Sequence, residues 1–137
     1  MSFAWSQELA TGNTIIDDQH KQLFVAASDL FTACQIGKER QEVERTMEFL
    51  LQYTIKHFAD EEALQKKYDY PEYPAHKQSH IYFTGLVQDM FARLPQDGLS
   101  DDFISEVYIS VGEWLLSHVR GEDVRMAEYI QDKAQSM

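Results

Sequence analysis

His57-Phe58-Ala59-Asp60-Glu61 opens the stretch that decides the fold, and His76-Lys77-Gln78-Ser79-His80 closes it. Each end carries a pair of metal-binding side chains four residues apart. On an α-helix, residues i and i+4 share a face, one turn apart. Between the pairs lies Asp69-Tyr70-Pro71-Glu72-Tyr73-Pro74, rich in turn-forming residues. Two helices folded back on each other there would aim four ligands into one space. The expectation is a metal site inside an antiparallel helix bundle.

Both pairs extend into longer stripes. Val43, Met47, Leu50, Thr54, His57, Glu61, Leu64 and Tyr68 alternate steps of 4 and 3, the period of a bundle seam. They predict a helix from about Glu39 to Lys67. Glu61 is unusual in such a seam, because a buried carboxylate needs a partner. Tyr73, His76, His80, Phe83, Val87, Met90 and Leu94 repeat the pattern. Their helix is expected to start near Pro71 or Pro74 and to end before Pro95. An earlier helix is expected from Asp17, as N-cap, to Ile36, with Gly37 as the stop. Its inward row is His20, Phe24, Ala27, Phe31 and Cys34. A fourth is expected after Ser100, from Asp101 to about Val119, with Ile104, Val107, Val111, Trp114 and His118 inward. There the pattern slips: Asp123 follows His118 by five and starts a new register with Ala127 and Ile130. Gly121 sits at the slip, so a kink or break is expected, followed by a short terminal helix over 122–132. Residues 1–16 read as an irregular arm pinned by Trp5 and Ile15-Ile16. The expected fold is therefore all-α. It is an antiparallel up-down-up-down four-helix bundle, with its core at 17–119, an N-terminal arm and a short C-terminal helix.

At 137 residues the chain suits one domain, 1–137. Such a domain buries roughly two thirds of its unfolded surface. Twelve Lys and Arg against twenty-three Asp and Glu give a net charge of −11. That balance argues against nucleic acid or an anionic membrane as partner. Cys34 is the single cysteine, so no internal disulfide forms. Met1-Ser2-Phe3-Ala4-Trp5 lacks the basic and apolar runs of a signal peptide. No stretch reaches the roughly 20 apolar residues of a membrane span. A cytoplasmic protein with no membrane insertion is the expectation.

All five histidines, His20, His57, His76, His80 and His118, fall on inward stripes, with Glu61 and Asp123 in register. Packed together without a metal, imidazoles leave ring nitrogens unpartnered, at about 1–3 kcal/mol each. Seven ligands exceed the four of a tetrahedral zinc. Two six-coordinate metals sharing Glu61, Asp123 and a bridging oxygen would leave a single position open. A nitrogen-rich, carboxylate-bridged site of this kind suits non-haem iron better than calcium or magnesium. The sequence leaves zinc and manganese open.

The chain resembles the hemerythrin family, in the bacterial form called bacteriohemerythrin, over nearly its whole length. The resemblance rests on Asp17-Asp18-Gln19-His20-Lys21, His57-Phe58-x-x-Glu61, His76-x-x-x-His80 and Trp114-Leu115-x-x-His118-x-x-x-x-Asp123, in that order. It implies two Fe ions, cycling between Fe2+ and Fe3+ and joined by an oxo or hydroxo bridge. One would take His76, His80 and His118 and the other His20 and His57, with Glu61 and Asp123 bridging. By the same resemblance the two-histidine iron is open to O2. Leu115, Trp114 and Val119 match residues that wall the family's oxygen pocket, and Phe58 is a further apolar neighbour of the ligands. The function so implied is reversible dioxygen binding for storage, delivery or buffering, not an enzyme activity, with a protein partner that accepts oxygen as a possibility. Two other readings stand beside it. One is a sensor of oxygen, redox state or iron acting through a partner protein. The other is a di-iron enzyme of peroxide or nitric oxide chemistry. The latter is disfavoured because the chain lacks Glu-x-x-His pairs and its ligand set is rich in nitrogen.

Overall fold

The structure, a computed structural model, describes residues 4–37 and 39–136, with Asp97 described through its backbone alone. Met1, Ser2 and Phe3 of the expected arm lie outside the described residues. A 3-10 turn, Gln7–Leu9, precedes three α-helices: α1 (Thr14–Gln35), α2 (Arg40–Lys67) and α3 (Tyr73–Asp97). A fourth helical rod, α4, spans 101–136. Helix α1 packs on α2, α2 on α3, and α4 closes the ring against α1 and α3. This is the all-α four-helix bundle that the seams predict. Among the described residues, no helix is long and apolar enough to cross a membrane.

Local chemistry sets the helix ends. The side chain of Asn13 caps α1, its Oδ1 accepting from the Ile16 N–H at 3.1 Å. Asp17, expected as the cap, instead ties the arm down. Its Oδ1 accepts from the Thr11 N–H at 2.9 Å and from the Thr11 hydroxyl at 2.8 Å. Helix α1 therefore starts earlier than predicted, and the expected pair of arm anchors divides. Ile16 is buried, whereas Ile15 is 68% exposed. Gly37, at φ +71°, takes the left-handed position that ends α1. Helix α3 runs through Pro95 to Asp97 instead of ending before it. A proline in a last turn forfeits one backbone bond, and the fully buried Leu94 keeps that turn packed.

The expected break at Gly121 is absent. Two π segments, Val107–Glu113 and Val119–Asp123, alternate with α segments, and the backbone stays right-handed helical at each junction. The rod then continues as Val124–Ser136, past the expected end of the terminal helix. A π turn closes i→i+5 bonds, so residues five apart come about one turn apart. That is how Asp123 and His118 face the same space. It also holds Val107, Val111, Leu115, Val119 and Asp123, each four apart, on one buried face. A regular α-helix of 3.6 residues per turn would rotate them off it. Trp114 is half-buried, and Leu115 takes the inward place expected of it.

The core has two halves. Leu30, Met47, Leu50, Met90, Leu94 and Val107, all fully buried, fill one end with aliphatic side chains. The other end holds the histidines and the two carboxylates.

Candidate metal centre

Each helix delivers part of the cluster. His20 comes from the first turns of α1, His57 and Glu61 from α2, and His76 and His80 from the start of α3. His118 and Asp123 come from α4, the latter as the last residue of its second π segment. All seven are buried, none more than 3% exposed. The seven residues singled out in the sequence thus meet in one place.

The Nε2 atom of every histidine faces the carboxylates. Glu61 Oε2 lies 3.2 Å from His20 Nε2 and 3.1 Å from His57 Nε2. Its other oxygen, Oε1, lies 3.2 Å from His80 Nε2 and 3.8 Å from His76 Nε2. Asp123 divides in the same way: Oδ2 is 2.9 Å from His20 Nε2, while Oδ1 is 2.8 Å from His76 Nε2 and 3.1 Å from His118 Nε2. Two overlapping groups of converging atoms result, each within 4.8 Å: Glu61, His76, His80, His118 and Asp123, and His20, His57, Glu61 and Asp123. Each carboxylate turns one oxygen to each group.

Only part of this set pairs: Glu61 Oε2 is hydrogen-bonded to His20 Nε2 at 3.2 Å, and His76 Nε2 to His118 Nε2 at 3.2 Å. His57 Nε2, His80 Nε2, Glu61 Oε1 and both Asp123 oxygens are buried and make no hydrogen bond to any described residue. Two fully buried carboxylates with unsatisfied oxygens are costly unless a positive charge lies between them. Burial pushes the His20 imidazole down, but Asp123 and Glu61 beside it more than reverse this and raise it to about 9. His118 follows the same balance, burial against Asp123 and Glu122, and reaches about 10. Burial raises Glu61 and Asp123, and the surrounding imidazoles outweigh it, holding both well below the usual carboxylate range. The cluster is built to hold cations, and its donor set of imidazoles and shared carboxylates fits transition metals, iron included.

A family model described as the hemerythrin HHE cation binding domain matches residues 11–130. The chain belongs to the hemerythrin family. A bacteriohemerythrin of Pseudomonas paraeruginosa is 33% identical over 139 residues, covering 96% of this chain and 88% of that protein. One from Stenotrophomonas maltophilia is 32% identical, covering 93% of this chain and 80% of its own. A myohemerythrin of Sipunculus nudus is 28% identical, covering 90% and 89%.

Around the cluster lies a further layer that spacing did not predict. His57 Nδ1 lies 2.7 Å from Gln19 Oε1, and the Gln19 amide donates to Asp60 at 2.8 Å. His80 Nδ1 lies 2.9 Å from Glu62 Oε2, and His118 Nδ1 lies 3.1 Å from Glu122 Oε1. His76 Nδ1 lies 3.1 Å from the Gln65 amide nitrogen, which also donates to the Met126 sulfur at 2.9 Å. His20 Nδ1 has no partner among the described residues. Gln65 also corrects the predicted seam, being fully buried where Leu64 was expected. A signal for it exists: it follows Glu61 by one more step of four, as Glu122 follows His118.

The four apolar residues expected at the pocket separate into two kinds. Leu115 and Val119 are each 1% exposed. Phe58 stacks flat on His80, with ring centroids 3.7 Å apart, and Trp114 stacks on His118 at 4.6 Å. The two aromatic rings therefore brace imidazoles of the three-histidine group.

Proposed function

We propose that the chain binds dioxygen reversibly at a carboxylate-bridged di-iron site, for storage, delivery or buffering of oxygen. The observation that carries the reading is the uneven division of the cluster. Three histidines face one side of the shared carboxylates and two face the other. We assign His76, His80 and His118 to one iron and His20 and His57 to the other, with Glu61 and Asp123 shared. The uneven count leaves the two-histidine side one donor short, which is the place for an external ligand.

Two irons held there, with a bridging oxo or hydroxo group, supply the electrons and the open coordination position that dioxygen needs. The chain's own residues supply the surroundings. Leu115 and Val119, assigned with Phe58 and Trp114 to the oxygen pocket, exclude water that would displace the ligand. The outward imidazole nitrogens are fixed by Gln19, Glu62 and Glu122, which orients each Nε2 inward. No nucleic acid partner fits a chain of net charge −11.

The test is optical. Protein loaded anaerobically with ferrous iron is exposed to air and then returned to an oxygen-free atmosphere, with iron counted per chain. Two irons and a charge-transfer band that comes and goes with oxygen are expected. Irreversible bleaching to a ferric form, or turnover of peroxide or nitric oxide, would replace the carrier reading with an enzymatic one.

A further inference from the structure

We propose that Glu62 and Glu122 make the three-histidine position the tighter of the two metal positions, so that it fills first and the two-histidine position is the exchangeable one. The proposal rests on reading the cluster as a two-metal site and adds an order to it.

A metal on Nε2 obliges the imidazole to carry its proton on Nδ1, which then needs an acceptor. On the three-histidine side, two of those acceptors are carboxylates, Glu62 at 2.9 Å from His80 and Glu122 at 3.1 Å from His118. Glu122 is itself held in place, accepting from the Ser79 hydroxyl at 3.1 and 3.0 Å through its two oxygens. Gln65 completes the set once its amide turns. Its buried carbonyl oxygen has no partner among the described residues, and rotation presents it to His76 Nδ1.

The two-histidine side is poorer. His57 has a neutral amide acceptor, Gln19. His20 Nδ1 is buried with no acceptor among the described residues. An anionic acceptor polarises the N–H and raises the donor strength of the opposite nitrogen, and such charge-assisted bonds are about twice as strong as neutral ones. Two carboxylates bonded directly to imidazoles therefore favour a cation on the three-histidine side, whereas on the other side Asp60 reaches His57 only through the neutral Gln19 amide. Neither glutamate touches the metal; both are positioning residues.

The experiment titrates metal-free protein with Zn(II) by calorimetry, for the natural chain and for Glu62→Gln, Glu122→Gln and Gln19→Leu. The glutamine variants keep an acceptor and remove its charge. Two resolved steps are expected in the natural chain. Each glutamate variant should weaken the first step about 10- to 100-fold and leave the second in place. Gln19→Leu should do the reverse. In the Zn(II)-loaded protein the His80 Nδ1–H proton resonance, deshielded by its carboxylate, should move upfield in Glu62→Gln. A merely structural role would leave it unmoved. Glu62 is only partly buried, and helical circular dichroism checks that its variant folds. Two equal steps in the natural chain, or glutamate variants that weaken both steps alike, overturn the order and leave the two-metal reading standing. Failure to take up any Zn(II) overturns both.

Discussion

Met47 and Leu50 on α2 face Met90 and Leu94 on α3 at one end of the bundle, while His57 and Glu61 face His76 and His80 at the other. The steps along each helix are the same, and burial is equally complete in both regions. Only the chemistry differs. The aliphatic end gains from burial alone, at roughly 25 cal/mol per Å² of apolar surface removed from water. The polar end buries two carboxylates, three of whose four oxygens have no hydrogen-bond partner among the described residues. A repeat of 3 and 4 thus specifies where a side chain points and says nothing about whether its burial is favourable. One half of the molecule is held by apolar burial, and the other gathers buried charges that a bound cation would neutralise.

The largest effect should come from supplying that cation. Thermal unfolding in excess Zn(II) or anaerobic Fe(II), compared with unfolding in chelator, should show strong stabilisation. Metal at about 1,000 times its dissociation constant contributes roughly 4 kcal/mol per site. A melting temperature indifferent to metal would erase the contrast between the two ends.

Single substitutions sharpen it. Leu50→Ala should cost about 2–5 kcal/mol, with or without metal, and leave metal content intact. His118→Ala should lose metal content and, with it, the metal-induced rise in melting temperature, while costing much less in chelator. Retention of two metals by His118→Ala would break the ligand assignment.

The extent to which all this was legible follows the same division. The inward stripes, and with them all seven cluster residues, were readable because one residue type at one helical period leaves few alternatives. The Asp123 register was visible as a slip of five, but a kink and a π turn produce the same slip in a sequence. The structure takes the π turn, and its Val119–Asp123 segment packs against the Gln7–Leu9 turn of the arm. Asn13 and Asp17 are both acceptable caps. The choice between them was made by Thr11, whose N–H and hydroxyl claim the Asp17 carboxylate. Gln19 and Glu62 escaped because each sits beside a cluster residue in the chain, about 100° around the helix from the inward line, whereas Glu122 is four residues past its partner His118 on the same helix. Their role appears only when neighbouring helices bring Glu62 to His80 across 18 residues, or Gln19 to His57 across 38.

A smaller effect is expected at the boundary of the two halves. Leu115→Ala opens space beside the cluster and should admit water. The oxygenated form should then decay to the ferric form several-fold faster, with iron content unchanged. An unaltered decay rate would remove Leu115 from the pocket.

The smallest effect concerns Cys34, in the aliphatic half and 1% exposed. Burial pushes its thiol up to about 11. The sign follows from the charged form being disfavoured inside. The neutral thiol's contribution to stability is complete below the unfolded value of about 8.5 and is lost as pH rises toward the folded one. At pH 8 the native protein should therefore resist iodoacetamide, while the urea-unfolded chain reacts freely. Resistance should persist in chelator, because the aliphatic end does not need the cation to stay closed. Should chelation alone expose Cys34, the two halves fold as one cooperative unit, and the polar end governs the packing of both.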